Sequence, residues 1–232
     1  MDREKLFDEY FRECCIEPMQ FCGQGEKNSD ILIVGKESTK VSVAENHELC
    51  KNERGGYIIP RDEDKKNDTW CNYQTLIDYV YEGIKPPKPE RKWDFEKYAF
   101  TTELNPRESK RTSHPDKKTR DAIAERLKLF RKSDFIQTFP VVILACSDYI
   151  INQGVGEERQ IDTTFGVKYC PHKETPTWFT PYNWFFIHRG EYIYHGETIK
   201  KLVIHTRNLS QNLKRELLPS MAQVIREHLN IK

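Results

Sequence analysis

In this chain a carboxylate and an imidazole each stand at the end of an unbroken apolar run. Ile31-Leu32-Ile33-Val34 leads into Gly35-Lys36-Glu37-Ser38-Thr39, and Leu202-Val203-Ile204 leads into His205-Thr206-Arg207-Asn208-Leu209-Ser210. Apolar runs rich in Ile and Val predict strands buried on both faces, as in a parallel sheet. Ligands of open α/β sheets bind just outside the carboxyl ends of such strands. Glu37 and His205, far apart in sequence, are therefore expected to face one crevice. There a carboxylate can orient a water molecule and offset developing positive charge, and an imidazole can donate a hydrogen bond to a developing oxyanion.

The elements that must position these residues follow from periodicity. Leu6-Phe7, Tyr10-Phe11 and Cys14-Cys15 recur at helical spacing and predict an opening helix that stops near Pro18. Strands are predicted over residues 31–36, 98–104, 141–145 and 202–205, and helices from about 68, over 115–132 and over 210–229. Lys85-Pro86-Pro87-Lys88-Pro89 reads as a stiff connector, because proline lacks the amide donor a helix needs. Residues 185–194 read as a β-hairpin turning at Arg189-Gly190, and the long stretch 153–182 shows no clear period. Strands alternating with crossover helices predict an α/β fold, a three-layer sandwich around a central, mostly parallel sheet of about four strands. At 232 residues the chain suits one domain, taken as 1–232.

Composition narrows the class of partner. With 37% hydrophobic and 31% charged residues, and no run approaching a membrane span, a soluble cytoplasmic monomer is expected. Seven cysteines without a CxxC pair support neither a zinc ribbon nor a disulfide framework, so reduced thiols are expected. The net charge of +1 hides local bias: residues 107–132 hold ten basic residues against four acids, and 200–215 hold five basic residues and no acid. Such runs suit a polyanion passing the strand ends, or are ordinary solvated faces.

The order of the motifs resembles the uracil-DNA glycosylase superfamily. The residues that carry the likeness are Gly35-Lys36-Glu37 after the first strand, Asn105 after the second, and His205 through Ser210 after the last, with the order of elements covering about 30–229. The resemblance implies hydrolysis of the N-glycosidic bond of a flipped base, uracil or another modified base, without metal or organic cofactor. The partner implied is nucleic acid, DNA rather than RNA. Glu37 would position the attacking water, and His205 would stabilise the departing base. Asn105 and Tyr57 would bind the base. Arg207, Asn208, Leu209 and Ser210 would hold nucleic acid, with Leu209 wedging into the stack and the amides of 208–210 seating a phosphate at a helix start.

The motifs depart from the family at Ser38, Thr206 and Asn208, where proline is expected, and Glu37 is one methylene longer than the family's aspartate. With Arg207 suited to phosphate or base-edge contacts, these departures point to an alternative, a non-catalytic protein binding nucleic acid or a nucleotide in the same crevice. A third reading, a flavodoxin-like nucleotide binder outside the family, finds neither GxGxxG nor GxxxxGK[ST] in the chain. Each candidate also has a plain structural role open to it: Asn105 in a turn before Pro106, His205 as a satisfied sheet histidine, Leu209 as a buried staple.

Overall fold

A computed structural model of the chain describes residues 1–14, 21–37, 68–83, 94–106, 115–150, 159–170, 178–180, 183–210 and 213–231. Its helices are α1 (Arg3–Cys14), α2 (Asp68–Tyr81), α3 (Lys117–Lys132), α4 (Asp134–Gln137), α5 (Gln160–Phe165) and α6 (Leu217–Leu229). Its strands are β1 (Gln24–Gly25), β2 (Ile31–Glu37), β3 (Ala99–Asn105), β4 (Val141–Ala145), β5 (Val167–Tyr169), β6 (Trp178–Thr180), β7 (Asn183–Tyr194) and β8 (Glu197–Thr206). No helix among the described residues is long and apolar enough to cross a membrane.

The four strands expected from the sequence lie side by side as the parallel centre of the sheet, in the order β3-β2-β4-β8. Ile31 sits opposite Ala99 on one side and Val141 on the other, and Val141 sits opposite Leu202. Side chains alternate between the two faces of a strand, so each strand feeds two cores. Leu32, Val34, Val142, Leu144 and Val203 pack against α1, α3, α4 and α5. Ile31, Ile33, Val141, Ile143, Leu202 and Ile204 pack against α2 and α6. Runs without polar residues are the consequence of burial on both faces.

The helices start and stop where local chemistry dictates. Asp116 caps α3 by accepting the Thr119 amide at 2.7 Å. Ser133 then closes α3 and opens α4. Phe135 on α4 meets Phe7, Tyr10, Phe100 and Phe139 with ring centroids 5.1–5.4 Å apart, joining α1 and β3 to α4 through edge and tilted contacts. Each such pair contributes about 0.5–1.5 kcal/mol beyond its buried area.

Three expectations need correction. The sheet is larger than about four strands, because antiparallel β1 adds to β3, and β7 and β5 extend the far side beyond β8, giving β1-β3-β2-β4-β8-β7-β5 with β6 paired to β7. The hairpin does not turn at Arg189-Gly190: β7 runs straight through, and the turn is His195-Gly196, with φ of 47° and 85°. Two successive positive φ values make the tight turn that matches strand twist. Gly190 is required for another reason, since a Cβ there would overlap the Gly166 carbonyl and press on Val167 of β5. Finally, the last helix begins at Leu217 rather than near 210. The connector at 85–89 lies outside the described residues.

Candidate functional site

The strand order fixes where a crevice must open. The connection that leaves β2 runs through α2 on one face, and the connection that leaves its neighbour β4 runs through α5 on the other. Neighbouring strands whose connections leave to opposite sides part at their carboxyl ends, and that switch point is where open α/β sheets bind ligands. Here it lies between Gly35-Lys36-Glu37 of β2 and Cys146-Ser147-Asp148-Tyr149 after β4. The Lys36 ammonium spans the two strand ends, 4.3 Å from the Tyr149 ring centroid.

The end of β8 joins this edge through Ser147. His205 Nε2 donates to the Ser147 carbonyl at 2.8 Å, and the Asn208 amide donates to Ser147 Oγ at 2.8 Å. Ser147 holds φ at 52°, an uncommon conformation for a residue with a side chain. His205 is 3% exposed, with Trp184 edge-on at 5.0 Å. Burial lowers its pKa to about 4, against a smaller raising effect of the Ser147 carbonyl. The ring is therefore neutral at pH 7, its one proton sits on Nε2, and Nδ1 is a buried lone pair with no hydrogen-bond partner among the described residues.

Asn105 and Glu37 occupy directly paired positions at the ends of β3 and β2. Asn105 is buried; of Glu37 only the backbone position is described. Asn105 alternates with Ala99 of the α2/α6 core, whereas His205 alternates with Val203 of the opposite core. A ligand reaching both must straddle the end of the sheet rather than lie on one face. On the same face as Asn105, two residues earlier on β3, the Glu103 carboxylate lies directly over Gly35, where a Cβ would overlap it. Tyr57 lies outside the described residues.

The segment after His205 departs from the sequence expectation. Leu209 is fully buried in the α2/α6 core, and its carbonyl accepts from Asn72 Nδ2 at 2.8 Å. It is a staple, as its plain reading held, and does not present a wedge. Asn208, Leu209 and Ser210 form a turn well ahead of α6, so their amides are not a helix start. Arg207, Asn208 and Ser210 are half-buried, and burial lowers the Arg207 pKa from its ordinary value.

No protein-family model matches the chain, and no curated protein matches it.

Two charged runs narrow once placed on the fold. On α3, Lys117 pairs with Asp121 and Lys128 with Glu125, while Arg126 is buried. Lys118, Arg120, Arg131 and Lys132 remain as exposed cations. Lys201 is interior: its ammonium donates to the Gln137 carbonyl at 2.9 Å and to Gln137 Oε1 at 2.8 Å, and burial lowers its pKa to about 7.

Sequence reasoning missed Ser147 and the pair His188–Asp162. His188, fully buried on the same face as His205, pairs through Nδ1 with Asp162 Oδ1 at 2.7 Å. Ser147 gives no signal, because its role comes from its backbone conformation and carbonyl and from one hydroxyl contact to a residue 61 positions away. Asp162 falls in the stretch without a period. Among the described residues no group of three or more His, Cys, Asp or Glu is placed to hold a metal ion.

Proposed function

We propose that this chain binds a nucleobase or nucleotide of nucleic acid at the β2–β4 switch point, as a divergent, non-hydrolytic relative of the uracil-DNA glycosylases. The observation that carries the reading is the protonation pattern of His205. Its only N–H is committed to the Ser147 carbonyl, and its remaining nitrogen is a buried acceptor with no donor among the described residues. A departing base anion needs a donor, whereas a bare lone pair suits the N–H or O–H of an intact ligand. Asn105, with an amide able to give and accept, and Arg207, with a planar fork, supply complementary groups at the same edge.

Glycosidic hydrolysis is the second reading, and the pairing of Glu37 with Asn105 favours it. That pairing puts a carboxylate-bearing and an amide-bearing position side by side, the combination that water activation and base reading would need. Incubation with oligonucleotides carrying uracil and other modified bases, followed by alkaline cleavage, separates the two. Retarded migration without strand breaks supports binding; abasic product at any modified base supports hydrolysis; neither outcome on DNA or RNA overturns both.

A further inference from the structure

Beside the His205 ring the sheet carries a trail of aromatic side chains. Trp184, Phe186 and His188 alternate along β7 on the face that also holds Val203 and His205 of β8. Phe186 stands opposite His205, and Tyr169 of β5 stands opposite His188. Ring centroids step outward from the crevice: His205 to Trp184 is 5.0 Å, Trp184 to Phe186 is 5.2 Å, and Phe186 to Tyr169 is 6.0 Å. The trail ends on a cation, the Arg159 guanidinium, 4.7 Å from the Tyr169 ring centroid.

Burial sets these rings apart from the core aromatics. Phe7, Phe100, Phe135 and Phe139 are fully buried, whereas Trp184, Phe186, Tyr169 and Arg159 are only half-buried. Packing alone accounts for the first group; the second presents ring surface to solvent along a line that leads out of the crevice. Positive charge lies at both ends of that line. Thr206 Oγ1 donates to the Trp184 carbonyl at 2.6 Å, and the half-buried Arg207 follows it directly. Asp162, on the helix that follows Arg159, has its carboxylate engaged by His188 Nδ1 at 2.7 Å.

Rings that receive base faces, with guanidinium groups to meet phosphate, are the chemistry of an unpaired nucleic-acid strand. Successive rings stand 5.0–6.0 Å apart. That exceeds the roughly 3.4 Å rise of bases along one strand of a duplex. Bases seated on neighbouring rings are therefore separated from one another, which continuous duplex stacking does not allow. The thymine methyl adds apolar contact to such a surface, which favours DNA. We propose that Trp184, Phe186 and Tyr169, closed by Arg159, form a stacking surface for the bases of single-stranded DNA that flank the base held at the switch point. The inference rests on the crevice reading for that central base and names the form of strand the crevice receives.

The test is fluorescence polarisation of a labelled oligothymidylate with the full chain. Its comparisons are a strand of equal length in which every position but the central one is abasic, the matching duplex, and oligouridylate. The abasic strand keeps the phosphates and removes the stacking. The unaltered chain should bind oligothymidylate more tightly than the abasic strand, by about fivefold or more for each ring engaged. It should also bind it more tightly than the duplex or oligouridylate. Trp184→Leu and Tyr169→Leu should each narrow the difference between the two strands, and Trp184→Phe should preserve it. Arg207→Ala, a change in the crevice, should weaken both strands alike. Equal affinity for the two strands, or a difference untouched by the ring variants, overturns the stacking surface and leaves the crevice reading standing. Ring-dependent binding that Arg207→Ala leaves unchanged dismisses the crevice reading and keeps the surface. Tighter binding of the duplex or of oligouridylate overturns the assignment to single-stranded DNA. The strand comparison on the unaltered chain decides even where a ring variant does not fold.

Discussion

His205 and Ser147 tie the ends of β8 and β4 together, ring nitrogen to backbone carbonyl at 2.8 Å, across the edge where the sheet opens. The same serine receives the Asn208 amide on its hydroxyl, so one residue in a left-handed conformation holds both His205 and the first residues after β8. Strain of this kind costs on the order of 1–3 kcal/mol and persists only where surroundings over-determine it.

The first prediction is a pH dependence of stability. His205 has a folded pKa near 4, below the ordinary 6.5, because the fold keeps it neutral. Between those values the unfolded chain binds the extra proton and the folded chain does not. Stability is therefore full above about pH 6.5 and is lost as pH falls toward 4, at up to about 1.4 kcal/mol per pH unit. Burial lowers the His188 pKa too, which adds a contribution of the same sign. Urea unfolding between pH 4 and 7 should show a shallower slope in His205→Gln than in the unaltered chain. Equal slopes would mean that His205 titrates as it does in water.

Leu209→Ala should lower stability by about 2–5 kcal/mol, the usual range for emptying a fully buried leucine site. Denaturant midpoints give the answer directly. A variant of unchanged stability with weakened duplex binding would restore the wedge that burial argues against.

The two hairpin glycines should respond differently to asparagine. Gly196→Asn should be tolerated within about 1 kcal/mol, because asparagine accepts positive φ and nothing crowds that turn. Gly190→Asn should cost roughly 1–3 kcal/mol, since any Cβ there meets the Gly166 backbone. Thermal melts of the two single variants are sufficient, and the reverse ranking would return the turn to Arg189-Gly190.

If nucleic acid is the ligand, log affinity should fall with log salt at a slope of about −0.9 for each duplex phosphate engaged. Lys118→Gln and Arg120→Gln should each flatten that slope, whereas Lys117→Gln, already paired with Asp121, should change it less. Affinity independent of salt would dismiss a polyanion. Arg207→Ala should reduce binding by about 1–3 kcal/mol in the bidentate-contact range.

The parallel centre of the sheet was legible because burial on both faces leaves an uninterrupted apolar signature, as in Ile31–Val34 and Val141–Ala145. The antiparallel additions were not. β1 is two residues and β5 three, too short to carry a period, and β7 alternates in burial at its start, then becomes exposed toward its tip. The Gly190 error arose because a glycine needed for close approach reads like a glycine needed for a turn. At the site, position 37, Asn105 and His205 were placed at one edge by their strands. That Asn105 and His205 come from opposite faces follows from register parity, which no single segment reveals. Leu209 was ambiguous because an apolar residue in a polar turn looks the same whether it points inward or outward.

The four central strands also set the order in which the molecule can assemble. Pairing β2 with β4 brings Ile31 to Val141, and pairing β4 with β8 brings Val141 to Leu202. Only β7 and β8 among the long strands meet through a tight turn. Contacts between distant segments incur chain-closure entropy before any stabilisation is gained, so they form late and slowly. The crevice exists only when β2, β4 and β8 stand side by side. It is therefore completed by the slowest contacts among the described strands, and a nascent or partly folded copy forms its helices and hairpin before this strand-end edge exists.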